Sequence, residues 1–332
     1  MTHYWFVSTK YRRHSKLALF TFALAFVVIL LGAFTRLTHA GLSCPDWPNC
    51  YGFITAPHTT SQMQQAAQNY PLTPLNVKKA WTEMTHRYVA GTEGLFILFL
   101  SFSILLTRQA KDTKSTLIAM GLMGLLCVQV TLGMLTVTEK LKPVIVLSHL
   151  LIGLSLLSML WWAYLDLHLR DDSFLVKTPK LALKPWLWLG FLVIAVQITL
   201  GGWVSTHDAG LACIDFPYCN GKLLPAMQWQ ALNSDLITIH MLHRMGAFVT
   251  AAYLSVLALF MLDNRAFQSI SKLILALLAL QLTLGILNIL WLRPVWIALT
   301  HHTVAILLLL TLITTLVKAS YISDTRHDFW IS

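Results

Sequence analysis

Residues 32–52 read GAFTRLTHAGLSCPDWPNCYG, and residues 201–221 read GGWVSTHDAGLACIDFPYCNG. Aligned without gaps, nine of the 21 positions are identical, including both cysteines of each block. Self-similarity of this kind indicates an internal repeat. Each block directly follows a long apolar run, so the repeat unit contains a membrane-spanning segment and the polar loop after it.

Working outward from the two blocks, eight apolar runs reach the roughly 20 residues that a helix needs to cross a bilayer. The composition agrees, since 56% of the residues are hydrophobic, only 11% are charged and the mean hydropathy is +0.65. Soluble domains carry about 25% charged residues, so a soluble, disordered or fibrous protein is excluded. The predicted spans cover residues 17–38, 80–106, 115–138, 143–165, 184–205, 236–262, 269–291 and 295–318.

Each half of the chain therefore holds four spans, and an even number gives both halves the same orientation. We predict an all-α polytopic membrane protein whose eight transmembrane helices form two parallel-repeat four-helix bundles. The bundles are expected to lie side by side, related by a pseudo-twofold axis along the membrane normal, unlike the inverted repeats of many transporters.

Basic residues indicate the orientation of these spans. Fifteen of the 24 Lys and Arg residues fall on one side: Lys10, Arg12, Arg13, Lys16, Arg108, Lys111, Lys114, Arg170, Lys177, Lys180, Lys184, Arg265, Lys272, Lys318 and Arg326. The positive-inside rule makes this side cytoplasmic, with both termini there. We expect a multi-pass protein of the inner (cytoplasmic) membrane, surrounded by lipid. The net charge of +10 is thus a topology signal and does not indicate nucleic-acid binding.

Each repeated block carries a C-x5-C pair, Cys44/Cys50 and Cys213/Cys219, in a loop on the outer, oxidising side. Free thiols and a zinc site are the alternatives to disulfide bonds. Exposed thiols in an oxidising compartment tend to pair, and no histidine pair follows at a spacing that suits zinc. The predicted disulfides could hold a lid loop over the helices or act as a redox couple. Cys127 stands alone in the third span and is expected to be a small core residue.

Four histidines lie at one level inside the membrane, one on each even-numbered span. His86, His149, His243 and His301 each fall about 9–10 Å from the outer end of the predicted span, at 1.5 Å per residue. Buried polar residues in a bilayer are candidates for function, and bundles build cofactor sites from facing helices. Zinc prefers three or four protein ligands. A di-metal carboxylate site needs more carboxylates, and the chain has only three Glu. A pair of axial histidines on a haem iron fits better.

The two halves differ beside these histidines. Glu83 precedes His86 by three residues, whereas His240 occupies the same place before His243, and residues three apart share a helix face. Arg87 and Arg244 follow the two histidines and suit an anionic group such as a haem propionate. A carboxylate in a dry site suits substrate oxidation, so Glu83 favours a reactive N-terminal half. The alternative is that Glu83 merely pairs with Arg87.

Together these features resemble the haem A synthase family. The resemblance rests on TRLTHAGLSCPDWPNCYG after the first span, EMTHR in the second, LSH in the fourth, HR in the sixth and THH in the eighth. It implies an oxidoreductase that converts a methyl group of haem O to the formyl group of haem A by successive hydroxylations. The implied partners are haem O as substrate, haem O synthase as its donor and an electron-transfer partner.

The resemblance also implies a division of labour between residues 1–168 and 169–332. In the first part, His86 and His149 flank the substrate haem as axial ligands of its iron and are catalytic together with Glu83. In the second part, His243 and His301 are axial ligands of a haem b cofactor that relays electrons. The arginines Arg87 and Arg244 would bind the haems. The main alternative is a di-haem b membrane electron carrier that changes no substrate, and a transporter built on a parallel repeat is a further one.

Overall fold

The computed structural model describes residues 2–107, 112–169 and 183–324, with side chains between residues 12 and 320 in those ranges. Within them the chain is helical and has no strand. The helices are α1 (Thr2–Leu37), α2 (Thr60–Asn69), α3 (Val77–Thr107), α4 (Thr113–Thr138), α5 (Pro143–Leu169), α6 (Lys184–Thr206), α7 (Leu236–Met261), α8 (Gln268–Leu290) and α9 (Val295–Asp324). All except α2 are long and apolar enough to cross a membrane. The prediction of an all-α protein with eight spans is confirmed.

Side-chain caps fix several helix starts on the loop side of the histidines. The Asp235 carboxylate accepts from the Thr238 N–H at 2.9 Å and starts α7. The Asn76 side chain accepts from the Lys79 N–H at 3.1 Å, which lets α3 begin three residues before the predicted span. At 1.5 Å per residue, His86 therefore lies about 13–14 Å along α3.

The short helix α2 was not predicted. It lies in the long connection between α1 and α3, and Thr59 caps its first turn together with Gln62. Its Ala66 is buried in a cluster with Tyr51 and the cysteines of the first repeated block. The connection is therefore folded back onto the disulfide loop.

The chain divides into two compact units, Met1–Tyr164 and Leu165–Ser332. In the first, α3 packs against α1 and α4, and α5 meets α1 where the rings of Phe22 and Trp161 lie 4.7 Å apart. In the second, α6 and α8 each pack against both α7 and α9. In each unit, the two histidine-bearing helices therefore belong to the same set of packed helices. They are α3 and α5 in the first unit and α7 and α9 in the second. The pseudo-twofold relation of the halves, and their assignment to different haems, stay predictions.

Two further expectations depend on particular residues. Six of the basic residues behind the predicted orientation lie outside the described residues: Arg108, Lys111, Arg170, Lys177, Lys180 and Arg326. The orientation therefore stays a prediction. Cys127 is exposed on α4 beside the exposed apolar side chain of Val128, so the prediction of a core position was wrong. A thiol is apolar enough to face lipid.

Candidate functional site

The structure brings the four predicted histidines together in two pairs, one pair in each unit. His86 on α3 and His149 on α5 are close enough for their charges to interact, as are His243 on α7 and His301 on α9. Among the described residues, no group of three or more His, Cys, Asp and Glu side chains is placed to hold a metal ion. Each pair therefore offers two imidazoles, the number that a haem iron takes as axial ligands.

Each of the four histidine rings packs against a glycine of a neighbouring helix. A Cβ atom added to these glycines would lie only 3.0–3.3 Å from the ring Cε1 atom. The pairs are Gly32 with His86, Gly133 with His149, Gly201 with His243, and Gly285 with His301. Since this is closer than ordinary van der Waals contact, a side chain at any of these positions would displace the ring. The identity of Gly32 and Gly201 in the sequence repeat thus has a steric reason.

The ring nitrogens fit the role of metal ligands. Within the described residues, Nδ1 of His86, His149 and His301 is buried with no hydrogen-bond partner, and an unpaired buried polar atom costs about 1–3 kcal/mol. The rings of His86 and His149 interact with the backbone carbonyls of Val28 and Gln129. A ligating histidine uses one nitrogen for such a hydrogen bond and offers the other to the metal.

Sequence reasoning missed a motif that carries these glycines. Three of the odd-numbered spans contain QVTLG (129–133), QITLG (197–201) and QLTLG (281–285), whereas the first has VILLG (28–32). The threonines are satisfied within their own helices, as when Thr199 donates to the Ala195 carbonyl at 2.8 Å. The glutamine stands one turn before the glycine and is therefore near the same histidine. Comparing the spans with one another would have revealed this pattern.

The two disulfides are present, which confirms their prediction. Cys44 is bonded to Cys50 and Cys213 to Cys219, so these four cysteines are neither free thiols nor zinc ligands. Both loops continue into a turn that ends on a glycine with positive φ, Gly52 at 81°. The matching glycine, Gly221, has a φ of 76°, a conformation that glycine adopts without steric cost.

An aspartate inside each disulfide loop fixes this turn. The Asp46 carboxylate accepts from the backbone N–H groups of Tyr51 at 2.6 Å and Gly52 at 2.8 Å. Asp215 makes the same pair of bonds in the second loop, to Asn220 and Gly221, each at 2.8 Å. These N–H groups, that of Gly221 foremost, hold the pKa of the Asp215 carboxyl below its usual value. Because both loops share this geometry, the same aspartate is needed in both repeats.

The two predicted haem-binding arginines hold the disulfide loops. The Arg87 guanidinium donates to the carbonyls of Asp46, Pro48 and Asn49 at 2.8–3.1 Å. Arg244 donates to carbonyls of the second loop, including those of Cys213 at 2.8 Å and Asp215 at 3.1 Å. A guanidinium suits this task because it presents several donors in a rigid plane. Contact of these arginines with a haem stays a prediction.

Glu83 is buried, with 3% of its surface exposed, and it anchors the first loop. Its Oε2 accepts from the backbone N–H groups of Ser43 at 2.8 Å and Cys44 at 3.0 Å. Its Oε1 accepts from Arg87 at 2.5 Å. The carboxylate also raises the pKa of the Tyr51 phenol, although burial of that phenol is the larger cause. The ion pair with Arg87 is thus present, while a catalytic role of Glu83 stays a prediction.

The second unit replaces this carboxylate with an imidazole. His240 is 4% exposed, and its Nε2 lies 3.3 Å from Nε of Arg244. Its Nδ1 is buried and has no hydrogen-bond partner in the part of the chain that the structure describes. In the second unit the loop is therefore fixed mainly through Arg244, whereas the first uses an arginine and a carboxylate together. The replacement of Glu83 by His240 between the two units therefore changes the charge beside the histidine pair.

Comparison with known proteins decides the family. The model of the cytochrome oxidase assembly protein family (COX15-CtaA) matches residues 15–313. The chain belongs to this family. Its relatives include a protein of Shewanella oneidensis named Heme A synthase, 38% identical over 315 residues that cover 89% of this chain and 93% of the relative. A Heme A synthase of Neorickettsia sennetsu is 29% identical over 85% of this chain and 91% of its own length.

A third relative in the cytochrome oxidase assembly family, the Heme A synthase of Erythrobacter litoralis, is 29% identical over 87% of this chain and 91% of the relative. These matches span both units. The resemblance seen in the sequence motifs is thereby confirmed, and both histidine pairs lie within the matched residues 15–313.

Proposed function

We propose that this protein is a haem A synthase, which oxidises a methyl group of haem O to the formyl group of haem A. Relatives that match nearly the whole chain carry that name. The observation that carries the proposal is the presence of two separate imidazole pairs, one in each unit, in a member of this family. Two pairs suit an enzyme that holds a substrate haem and a cofactor haem at the same time.

We assign the substrate haem to the first unit, with His86 and His149 as the residues that hold and orient it. Oxidation of a methyl group builds positive charge at the reacting carbon, and a buried carboxylate stabilises such charge in a water-poor site. Glu83 is that carboxylate, one helical turn from His86. The disulfide loop that it anchors packs against Ala80 and Met84 of α3.

The second unit would hold haem b between His243 and His301. Bound there, a haem supplies reversible one-electron chemistry, which an oxidoreductase needs to pass electrons onward. His240 and Arg244 place no carboxylate beside this pair, so the site lacks the group that we assign to substrate oxidation. Because Arg244 donates to neutral carbonyls rather than to a carboxylate, its charge would favour a nearby haem propionate. Arg87, already paired with Glu83, would do so less.

The reaction also sets requirements on the surroundings. Converting a methyl to a formyl group removes four electrons from the carbon and adds an oxygen atom. We therefore propose an electron-transfer partner at the membrane, and haem O synthase as the source of the substrate. The basic residues favour cytoplasmic termini, which would place both haem sites near the outer face.

Extraction of pigments from the purified protein tests this proposal. The protein is produced in cells supplied with haem O, and its acid-extracted haems are separated by chromatography. A haem A synthase should contain haem b together with haem O or haem A. Haem b alone, in two equivalents per chain and with no haem A formed, would instead support the di-haem electron carrier.

A further inference from the structure

Two half-buried glutamines face the histidine pair of the second unit. The Gln197 amide nitrogen lies 3.0 Å from Nδ1 of His243 and 3.0 Å from the backbone carbonyl oxygen of the same residue. The Gln281 amide nitrogen lies 3.3 Å from Nε2 of His301. Both histidines of this unit therefore have a side-chain partner on the preceding helix.

The histidine pair of the first unit lacks such partners. Val28 occupies the position that corresponds to Gln197, and an isopropyl group cannot form a hydrogen bond. Gln129 corresponds to Gln281, but its amide lies beside Gly153, where an added Cβ would be 2.9 Å from the amide nitrogen. Among the described residues, no side-chain hydrogen bond reaches the ring of His86 or His149; these rings interact with the backbone carbonyls of Val28 and Gln129, as the ring of His301 does with that of Gln281.

The unused amide oxygens support a role toward a ligand. Among the described residues, Oε1 of Gln197 and of Gln281 is buried with no hydrogen-bond partner, as is Oε1 of Gln129 in the first unit, so the units differ in the amide nitrogens beside the rings and in Val28. When iron binds one nitrogen of an imidazole, the proton stays on the other nitrogen, which becomes a donor. The Gln281 amide can then turn its oxygen to that N–H group, since its orientation follows the histidine tautomer, whereas the same turn of Gln197 exchanges its bond to the His243 carbonyl for one to the ring. Such an outer hydrogen bond fixes the ring and strengthens the ligand, and its loss typically costs 10–100-fold in metal affinity.

We propose that Gln197 and Gln281 are positioning residues that make the second unit a site of permanent haem binding, and that Val28 makes the first unit a site of exchange. This inference rests on the proposed function, in which the first unit binds a substrate haem and releases a product haem. An enzyme that turns over must release its product, whereas it must retain its cofactor. The glutamines provide that difference without changing the histidine ligands themselves.

Methionine substitution of the glutamines tests the first part. Gln197→Met and Gln281→Met keep the length of the side chain and remove the amide. Purified variants are mixed with excess apomyoglobin, and the transfer of haem b is followed by absorbance. Haem b should leave each variant about 10-fold faster than the wild type, at the lower end of the usual effect. Its midpoint potential should rise, because a less basic imidazole stabilises ferric iron less.

The matched control is Thr199→Val, which removes a hydroxyl of the same motif that bonds only within α6. It should leave both the transfer rate and the potential unchanged. Transfer rates and potentials in the glutamine variants equal to the wild type would overturn the inference. That result would leave the proposed function standing, whereas a wild-type protein that contains no haem b would overturn the proposed function itself.

The second part is tested by installing the missing amide. Val28→Gln should slow the transfer of haem O or haem A from the first unit to apomyoglobin by about 10-fold. Val28→Thr, which is polar and has nearly the shape of valine but cannot reach the ring, should exchange like the wild type. Equal rates in Val28→Gln, Val28→Thr and the wild type would refute the role of Val28, even in protein with normal haem b.

Discussion

Replacing Gly201 by alanine should damage the haem b site while leaving the fold intact. An added Cβ would lie 3.0 Å from Cε1 of His243, whereas carbon atoms prefer about 3.5–4.0 Å. The ring must therefore move by a few tenths of an ångström, or α6 must move away from α7. Alanine itself is favoured over glycine in a helix interior by about 1 kcal/mol, so the helix should not be weakened. The loss should thus appear in the binding of haem.

The expected loss of haem affinity follows from the proposed role of His243 as an iron ligand. A disturbed ligand environment lowers metal affinity by about 10–100-fold, which corresponds to about 1.4–2.8 kcal/mol. Haem b content per chain, measured from the absorbance of the reduced purified protein, should fall, and the remaining haem should pass to apomyoglobin faster. The matched control is Gly124→Ala, because a Cβ at Gly124 has no heavy atom within 4 Å. Full haem b content and wild-type retention in Gly201→Ala would refute the reasoning.

Three further substitutions and one control substitution probe the first unit and the loops. Glu83→Gln should lower haem A formation steeply and leave haem b in place. Haem O or its singly hydroxylated alcohol should accumulate in the extracts. Undiminished haem A would exclude a catalytic Glu83. Glu139→Gln, at the exposed end of α4, is the control and should keep wild-type haem A. Cys44→Ser should lower the yield or the haem A output without ending it, because a disulfide that closes so short a loop stabilises the fold by only ~2.4 kcal/mol. Complete inactivity of folded protein with normal haem b would indicate a catalytic thiol or disulfide. Cys213→Ser should have a similarly modest effect, seen as a lower melting temperature.

The eight spans could be predicted from the sequence because run length and hydropathy alone define a membrane helix. The short helix α2 could not, since its polar sequence TSQMQQAAQN is ordered by packing against Tyr51 rather than by its own pattern. The helix α3 begins at Val77, three residues before the apolar run that defined the predicted span. The cap at Asn76 extends the helix beyond the apolar run.

The histidines could be predicted because their depth in four separate spans is a matter of counting. What surrounds them could not be derived from single spans. The contacts of Arg87 with loop carbonyls join residues about 40 positions apart, and nothing in the EMTHR motif distinguishes them from a haem contact. The glutamines act across a helix–helix interface, so their role depends on which residue of the next helix they meet.

The central claim is that two histidine pairs hold two different haems. It is tested most directly by extracting haems from purified wild type, His149→Ala and His243→Ala, each produced in cells supplied with haem O. Removal of an axial ligand from the second unit should abolish the low-spin haem b spectrum of His243→Ala and leave haem O bound. His149→Ala should keep haem b and form no haem A. The account would be contradicted by a haem b spectrum that survives in His243→Ala, or by two variants that lose the same haem to the same extent.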